Sequence, residues 1–301
     1  MRAKAAWLAL ATASVVACGL SVVGTEIATN EPSDGGTPPG TEAGVPPGDD
    51  GDSGVGLDGG HDAAPIPRDD AGCPTGRGPA MLRLFGSTSP ALCIDQTEVS
   101  SKQYEPFIAE VDAGRAPAQL PECAANTSVV PLDPNTSMTP PLGGNDPVDR
   151  VDWCDAWLFC AWAGKHLCAR RDGTSTYIAS SDATNATIGE WYAACSQDGT
   201  SPSVPAVANL KSNAIAGRDA DGQVAVDGPP PGGPTYPAGL LGHIVGNVEE
   251  WADGCDGTGS CVARGASEQS DPPTDCTTRV AHPRMDRHAD LGFRCCAKPM
   301  P

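Results

Sequence analysis

Thirteen cysteines constrain this 301-residue chain more than any other feature of its sequence. If Cys18 is used outside the folded region, twelve cysteines remain, which is an even number. An even set of cysteines in an exported chain indicates disulfides, here up to six, and no CxxC pair with zinc-ligand spacing occurs. Each bridge would contribute about 2–4 kcal/mol, chiefly by restricting the unfolded chain.

The N-terminus indicates export. Residues 1–17 carry two basic residues and then an apolar run too short to span a bilayer, the layout of a secretory signal peptide. The "VVAC" ending resembles a bacterial lipobox, which implies cleavage before Cys18 and lipidation of that residue. Gly19 favours an outer-membrane lipoprotein of the bacterial cell envelope, facing the periplasm or the cell surface. The alternative is an ordinary signal peptide with a chance cysteine.

Residues 18–72 form the lipidated cysteine and an acidic tether. From Gly24 to Gly72 the segment holds eleven carboxylates against one Arg and is rich in Pro and Gly. Such a segment buries too little apolar surface to order itself, so we expect disorder.

Residues 73–301 are long enough for one large domain. The many Gly and Pro residues predict a loop-rich α+β fold with short elements. The net charge of −19 excludes nucleic acid as a partner and excludes electrostatic adhesion to anionic lipid. Any membrane contact is therefore expected through the lipid anchor alone.

Three segments predict helices. Residues 92–111 begin as a strand and continue as a helix capped by Thr97 or Ser100. Residues 147–170 predict a helix capped by Asp152 and ended by Gly164, and residues 187–196 predict a short one. Residues 171–186 and 197–240 have loop character, and the C-terminal region predicts short strands that close the domain.

Five motifs, in order along residues 85–297, resemble the formylglycine-generating enzyme family, also called the sulfatase-modifying factor family. They are "CIDQTEVSSKQYEPFI", "PVDRVDWCDAWLFCAWAGKHL", "GEWYAACS", "GNVEEW" and "RGAS…LGFRC". The resemblance implies an irregular, loop-rich, disulfide-rich α+β fold related to C-type lectins.

The resemblance also sorts the cysteines. It implies structural bridges from Cys160 to Cys295 and from Cys195 to Cys276. Cys255 and Cys261 flank "DGTGS", where we expect a local hairpin bridge. The sequence leaves the partners of six cysteines open. These are Cys73, Cys93, Cys123, Cys154, Cys168 and Cys296.

Two structural calcium sites are implied by the same resemblance. The first would use Asn247, the Val248 carbonyl and Glu250, because a turn can present several oxygens to Ca²⁺. The second would use the set Asn209, the Leu210 carbonyl, Asp221 and the Gln223 carbonyl. The alternative for the "DADG" segment is a plain Asp-Gly turn.

The sequence departs from the family at the copper site. Family enzymes bind copper through two cysteines after "RGGS", and thiolates suit Cu(I). Here Ser270 stands at the first of these positions, and Cys276 matches a structural bridge instead. Copper is therefore not expected, and no catalytic residue is assigned.

Two functions remain open. The first is a non-catalytic, calcium-stabilised surface module that binds an extracellular peptide, glycan or protein. The second is an exported oxidoreductase of the superfamily with altered metal chemistry, using Arg264, Asp275 or His282. For "HPRMDRH", which holds His282 and His288, the Pro and the lack of a third ligand favour a solvated loop over a metal site.

Overall fold

The computed structural model describes residues 66–85, 90–132, 142–173, 177–201, 223–226, 241–271 and 274–300. They belong to one compact unit, Leu57–Pro301. The signal peptide, Cys18 and the tether up to residue 65 lie outside the described residues. Within the described ranges, no helix has the length and apolar content to cross a bilayer.

Within the described residues, the regular structure consists of two four-stranded sheets, three short α-helices and two 3-10 turns, Pro121–Cys123 and Ser180–Asp182. In chain order the elements are β1 (Met81–Leu84), β2 (Leu92–Asp95), α1 (Ser101–Asp112), α2 (Trp153–Trp162), β3 (His166–Leu167), α3 (Glu190–Cys195), β4 (Glu249–Cys255), β5 (Ser260–Arg264), β6 (Arg279–Pro283), β7 (Leu291–Phe293) and β8 (Cys295–Ala297). The first sheet has the antiparallel order β1-β2-β8-β3. The second has the order β6-β5-β4-β7, in which only β4 and β7 run parallel. Short elements joined by long loops confirm the α+β, loop-rich, disulfide-rich fold class.

Helix α1 begins at a capping box. Ser100 accepts a hydrogen bond from the Gln103 amide, and the Gln103 side chain accepts one from the Ser100 amide. The cap is therefore Ser100, while the Thr97 hydroxyl donates to the Glu98 carbonyl. Tyr104 and Phe107 bury the inner face of the helix.

Helix α2 begins at a second capping box, formed by Asp152 and Asp155, and is followed by Gly164 at a φ of 71°. Eight of its ten residues are buried, so it lies within the core and lacks an exposed polar face. The helix is shorter than the predicted span of 147–170. Both of its flanks are irregular, because Asp152 fixes the start and Gly164 the end.

The main core lies between α1, α2 and the second sheet. Aromatic rings pack against one another there. The Phe159 ring centroid lies 5.4 Å from that of Tyr104, in a stacked arrangement, and 5.3 Å from that of Phe293, in an edge-to-face arrangement. A second cluster surrounds Trp191 of α3. Such contacts add about 0.5–1.5 kcal/mol per aromatic pair beyond burial alone.

The folded domain begins earlier than residue 73. Arg68 pairs with Pro74 in a β-bridge, and the Thr75 amide donates to the Pro67 carbonyl. A Cβ at Gly164 would lie 2.0 Å from the Ile66 side chain, so these two residues are packed together. Residues 66–72, which composition assigns to the tether, thus contact the domain. The composition of a segment does not show whether it packs against a neighbouring domain.

Candidate functional site

The turn after β5 carries the segment where family enzymes hold copper. Arg264 ends the strand fully buried, donates to the Ala183 carbonyl at 3.1 Å and lies over the Trp191 ring at 5.8 Å. Gly265 follows with a φ of 90°, and a Cβ there would come within 2.8 Å of the Ile244 carbonyl oxygen. Only glycine fits this close approach, which directs the chain toward Ser267.

Two serines occupy the next turn. The Ser267 hydroxyl donates to an Asp290 oxygen at 2.8 Å and accepts from the Gln269 amide at 3.2 Å. The Ser270 hydroxyl accepts from the Ser267 amide at 3.0 Å. These bonds make the hydroxyls turn caps, and a nucleophilic serine would instead need a histidine or lysine base.

A buried ion pair lies beneath this turn. The Arg294 guanidinium donates to both Glu250 oxygens, at 2.6 Å and 2.7 Å, and the Trp191 indole donates to the same carboxylate at 2.7 Å. Glu250 and Arg294 are both fully buried. Burial raises the pKa of the Glu250 carboxyl, and Arg294 opposes that rise. The pair joins α3, β4 and the link between β7 and β8.

A second buried polar group adjoins the pair through Asn247. The Asn247 carboxamide accepts from the Val224 amide at 2.9 Å and donates to the Val224 carbonyl and to Glu98. Its φ of 70° is the left-handed conformation that Asn tolerates well. Burial raises the pKa of Glu98 to about 7. Asn247, the second residue of "GNVEEW", therefore fastens residues 223–226 to the core.

A third buried pair links β2 of the first sheet to the connection between α2 and β3. Lys165 donates to Asp95 at 2.6 Å, with both side chains fully buried, and the other Asp95 oxygen accepts from the Cys295 amide. Removing one partner of such a pair costs about 3–5 kcal/mol, because it leaves a buried charge. Lys165 of the "AGKH" motif therefore has a structural role in the core.

The comparison with known families now decides the identity of this scaffold. The model of the sulfatase-modifying factor enzyme 1-like domain matches residues 86–299. The chain belongs to this family. No match was found among curated proteins.

Solved structures similar to this sulfatase-modifying factor domain include three proteins. CarF has 20% identity and a TM-score of 0.44, covering 75% of this chain and 97% of its own. PvdO from Pseudomonas aeruginosa has 15% identity and a TM-score of 0.43, covering 73% and 91%. Treponema denticola variable protein 1 has 19% identity and a TM-score of 0.40, covering 74% and 93%. Membership rests on the family model, not on these likenesses.

Every cysteine of this family domain lies in a disulfide. The structure forms the three expected bridges, Cys160–Cys295, Cys195–Cys276 and Cys255–Cys261. It also pairs the six cysteines that sequence left open. Those bridges are Cys73–Cys93, Cys123–Cys154 and Cys168–Cys296. All twelve cysteines from Cys73 to Cys296 are thus paired, and Ser270 lies in the turn after β5.

In the structure, the side chains of the first predicted calcium site are hydrogen-bonded to other groups of the protein. Both Glu250 oxygens accept from Arg294, and the Asn247 oxygen accepts from Val224. The Val248 residue between them is buried. As arranged, these two side chains do not fit a Ca²⁺ ion, since the ion would have to displace a guanidinium and an amide.

The second predicted calcium site is only partly described. Asn209, Leu210 and Asp221 lie outside the described residues. Gln223 is buried, and its side chain donates to Asp149 at 3.0 Å and to the Ala289 carbonyl. Calcium at this second site stays a prediction.

The three residues of the alternative catalytic hypothesis have separate local partners. Arg264 is buried against Trp191, and Asp275 caps a turn by accepting from the Thr277 amide and hydroxyl. His282 instead belongs to a cluster with Asp286 and His288, whose potential ligand atoms lie within 4.8 Å of one another. Asp286, inside the "HPRMDRH" motif, supplies a third potential ligand that the sequence interpretation of a solvated loop did not include. The spacing His-x3-Asp-x-His was the signal that sequence reasoning missed.

A groove of about 800 Å³ lies away from the copper position, between the N-terminal segment, the α2–β3 connection and the C-terminus. Basic side chains and one indole contribute to its lining. They are Arg68, Trp157, Lys165, His166, Arg170 and Lys298. Basic residues gathered in one groove contrast with the net charge of −19 of the whole chain.

Proposed function

We propose that this chain is a cell-envelope lipoprotein whose sulfatase-modifying factor domain binds a ligand and does not oxidise cysteine. One observation carries the proposal: all twelve domain cysteines form disulfides, while Ser270 stands where the family enzymes have a copper cysteine. A serine hydroxyl is a poor ligand for Cu(I) compared with a thiolate. The family framework is kept, since its buried pairs and bridges are present.

Oxygen consumption tests the loss of catalysis. The full chain is loaded with Cu(I) and supplied with a sulfatase-type cysteine peptide, with an active formylglycine-generating enzyme run in parallel. We expect oxygen uptake at the no-enzyme rate. Turnover of the peptide to formylglycine would contradict the proposal and favour the alternative, an exported oxidoreductase with altered metal chemistry.

The basic groove is the proposed ligand surface. Because its cations face a groove within an acidic protein, electrostatic complementarity favours an anionic ligand, such as an acidic peptide or an acidic glycan. Arg170 is paired with Asp172 at the rim, and Lys298 is exposed, so both side chains can reach a ligand at low cost.

Binding to arrays of peptides and glycans tests the groove. We expect acidic probes to bind the wild type and to lose at least tenfold in affinity in the Arg170→Glu, Lys298→Glu double variant. Lys102→Glu, an exposed change on α1, is the matched control and leaves binding unchanged. Binding that the double variant and the control weaken equally would show that the groove is not the ligand surface.

A further inference from the structure

The end of β6 and the turn that follows it bring together three side chains of types that can ligate a metal, outside the copper position. His282 Nδ1 lies 3.4 Å from an Asp286 oxygen, and His288 Nε2 lies 2.7 Å from the same oxygen. The two imidazole rings are 5.4 Å apart between centroids. Two imidazoles and one carboxylate thus converge on one small volume, and 4.8 Å spans all three ligand atoms.

The turn is fastened on both sides of these residues. Arg284 donates to the Glu122 carbonyl, and Arg287 donates to both Asp152 and the Val130 carbonyl. Backbone bonds add to this, since the Trp153 amide donates to the Arg284 carbonyl and the Arg150 amide donates to the His288 carbonyl. The residues between the ligands therefore hold the turn against the domain, and the cluster does not depend on a loose loop.

Glu249 orients the first imidazole. Its carboxylate lies 2.8 Å from His282 Nε2, and the His282 ring packs edge-on against Trp251 at 5.6 Å. A carboxylate on the far nitrogen sets the tautomer that leaves Nδ1 for a metal, as is usual for metal-binding histidines. His282, with 16% of its side chain exposed, is fixed in place, while His288, with 47% exposed, can adjust.

We propose that His282, Asp286 and His288 bind a divalent first-row transition ion, with Zn²⁺ as the reference case. The ligand atoms of a tetrahedral zinc site lie about 3.3 Å apart, given bonds of about 2.0–2.1 Å. The cluster needs only a small movement of the exposed His288 ring to reach that spacing. Three protein ligands at a partly exposed position leave a coordination site open to water or to a ligand oxygen. The site is independent of the proposed binding groove and of copper.

Zinc titration of the full chain, stripped of metal, tests the site. Equilibrium dialysis with ZnCl₂ alone should give one Zn²⁺ per chain, and Co²⁺ in its place should give a visible d–d absorption band. His288→Ala and Asp286→Asn should each weaken zinc binding at least tenfold, and Glu249→Gln should weaken it about 10–100-fold by releasing the His282 ring. His166→Ala, a half-exposed histidine outside the cluster, is the matched control and leaves zinc binding unchanged.

Metal-free melting temperatures separate ligand loss from misfolding. Because His288 is half-exposed, the His288→Ala variant should melt within about 1 °C of the wild type without metal, and only the wild type should gain stability with zinc. Absence of stoichiometric zinc binding would overturn the proposal. Zinc binding that His288→Ala and Asp286→Asn leave intact would overturn it as well.

Discussion

His243 is a buried imidazole held neutral by its surroundings. It is 6% exposed, its Nε2 has no hydrogen-bond partner among the described residues, and it sits near Arg294. Burial first, and then the Arg294 charge, lower the pKa of His243 to about 4. Since an unfolded histidine titrates near 6.5, the unfolded chain takes up this proton first as the pH falls.

This lowered pKa predicts acid destabilisation. The stabilisation from a neutral His243 is complete above pH 6.5 and is lost as the pH falls toward 4, by about 2 kcal/mol at pH 5. His243→Asn removes the titrating group and suits the φ of 46° at this position. Urea unfolding at pH 7.5 and pH 5 should show the variant gaining about 2 kcal/mol relative to the wild type. Parallel pH profiles would contradict this assignment.

For single residues, the sequence shows which positions matter more readily than it shows which residues they contact. The resemblance implies calcium ligands at Asn247 and Glu250 of "GNVEEW", whereas the structure gives these side chains Val224 and Arg294 as partners, which nothing in the motif names. Those contacts link residues far apart along the chain, so only the folded arrangement reveals them. Asp286 differs from these contacts, because it lies between the two histidines in sequence and the His-x3-Asp-x-His spacing is readable without the fold.

At the element scale, short helices depend on their caps. Isolated helices of about twelve residues are marginal in water, so α1 gains its stability from packing and from its capping box. The alternatives Thr97 and Ser100 were open from sequence, because both residue types can cap. The structure selects Ser100, whose partner Gln103 stands three residues later.

The cap predicts a measurable difference between two hydroxyls. Ser100→Ala should lower the free energy of unfolding by about 1 kcal/mol, because the Gln103 amide loses its acceptor. Thr97→Ala is the matched control and should cost less than about 0.5 kcal/mol. Denaturant unfolding of both variants measures the difference. A larger loss of unfolding free energy from Thr97→Ala than from Ser100→Ala would contradict the assignment of Ser100 as the cap.

Helix existence was predictable in all three cases, whereas strand bounds were not. Apolar spacing and Asp152 indicated α2, but its ends at Trp153 and Trp162 are set by the cap and by Gly164. The strands of the first sheet are two to four residues long, too short for an alternating pattern to register. Their pairing depends on disulfides and on buried ion pairs between distant residues.

At the scale of the whole molecule, disulfides tie the C-terminus to the body of the domain. Cys295 and Cys296, adjacent in β8, bond to Cys160 and Cys168 on either side of β3. Adjacent side chains of a strand point to opposite faces, so the two bridges fasten both faces of the sheet. Twelve cysteines allow too many pairings for sequence alone to choose among, and a family resemblance resolved only the bridges that the family shares.

The family resemblance still predicts calcium binding at the second predicted site, which includes Asp221 and Gln223. Such an ion would stabilise the whole domain. If Asp221 and Gln223 help to hold Ca²⁺, then adding CaCl₂ to the metal-free chain raises the melting temperature by mass action. Asp221→Asn should remove this gain, whereas His288→Ala, which lacks a proposed zinc ligand, should keep it. A melting temperature that Ca²⁺ leaves unchanged would remove the second predicted calcium site.

The decisive measurement for the disulfide-braced, copper-free domain is the count of free thiols in the purified protein. Alkylation of the denatured, unreduced chain, followed by peptide mapping, reports the state of each cysteine from Cys73 to Cys296. We expect that none of the twelve is alkylated and that the six mapped bridges match those of the structure. Two alkylated cysteines that also retain one copper ion in the native protein would contradict it.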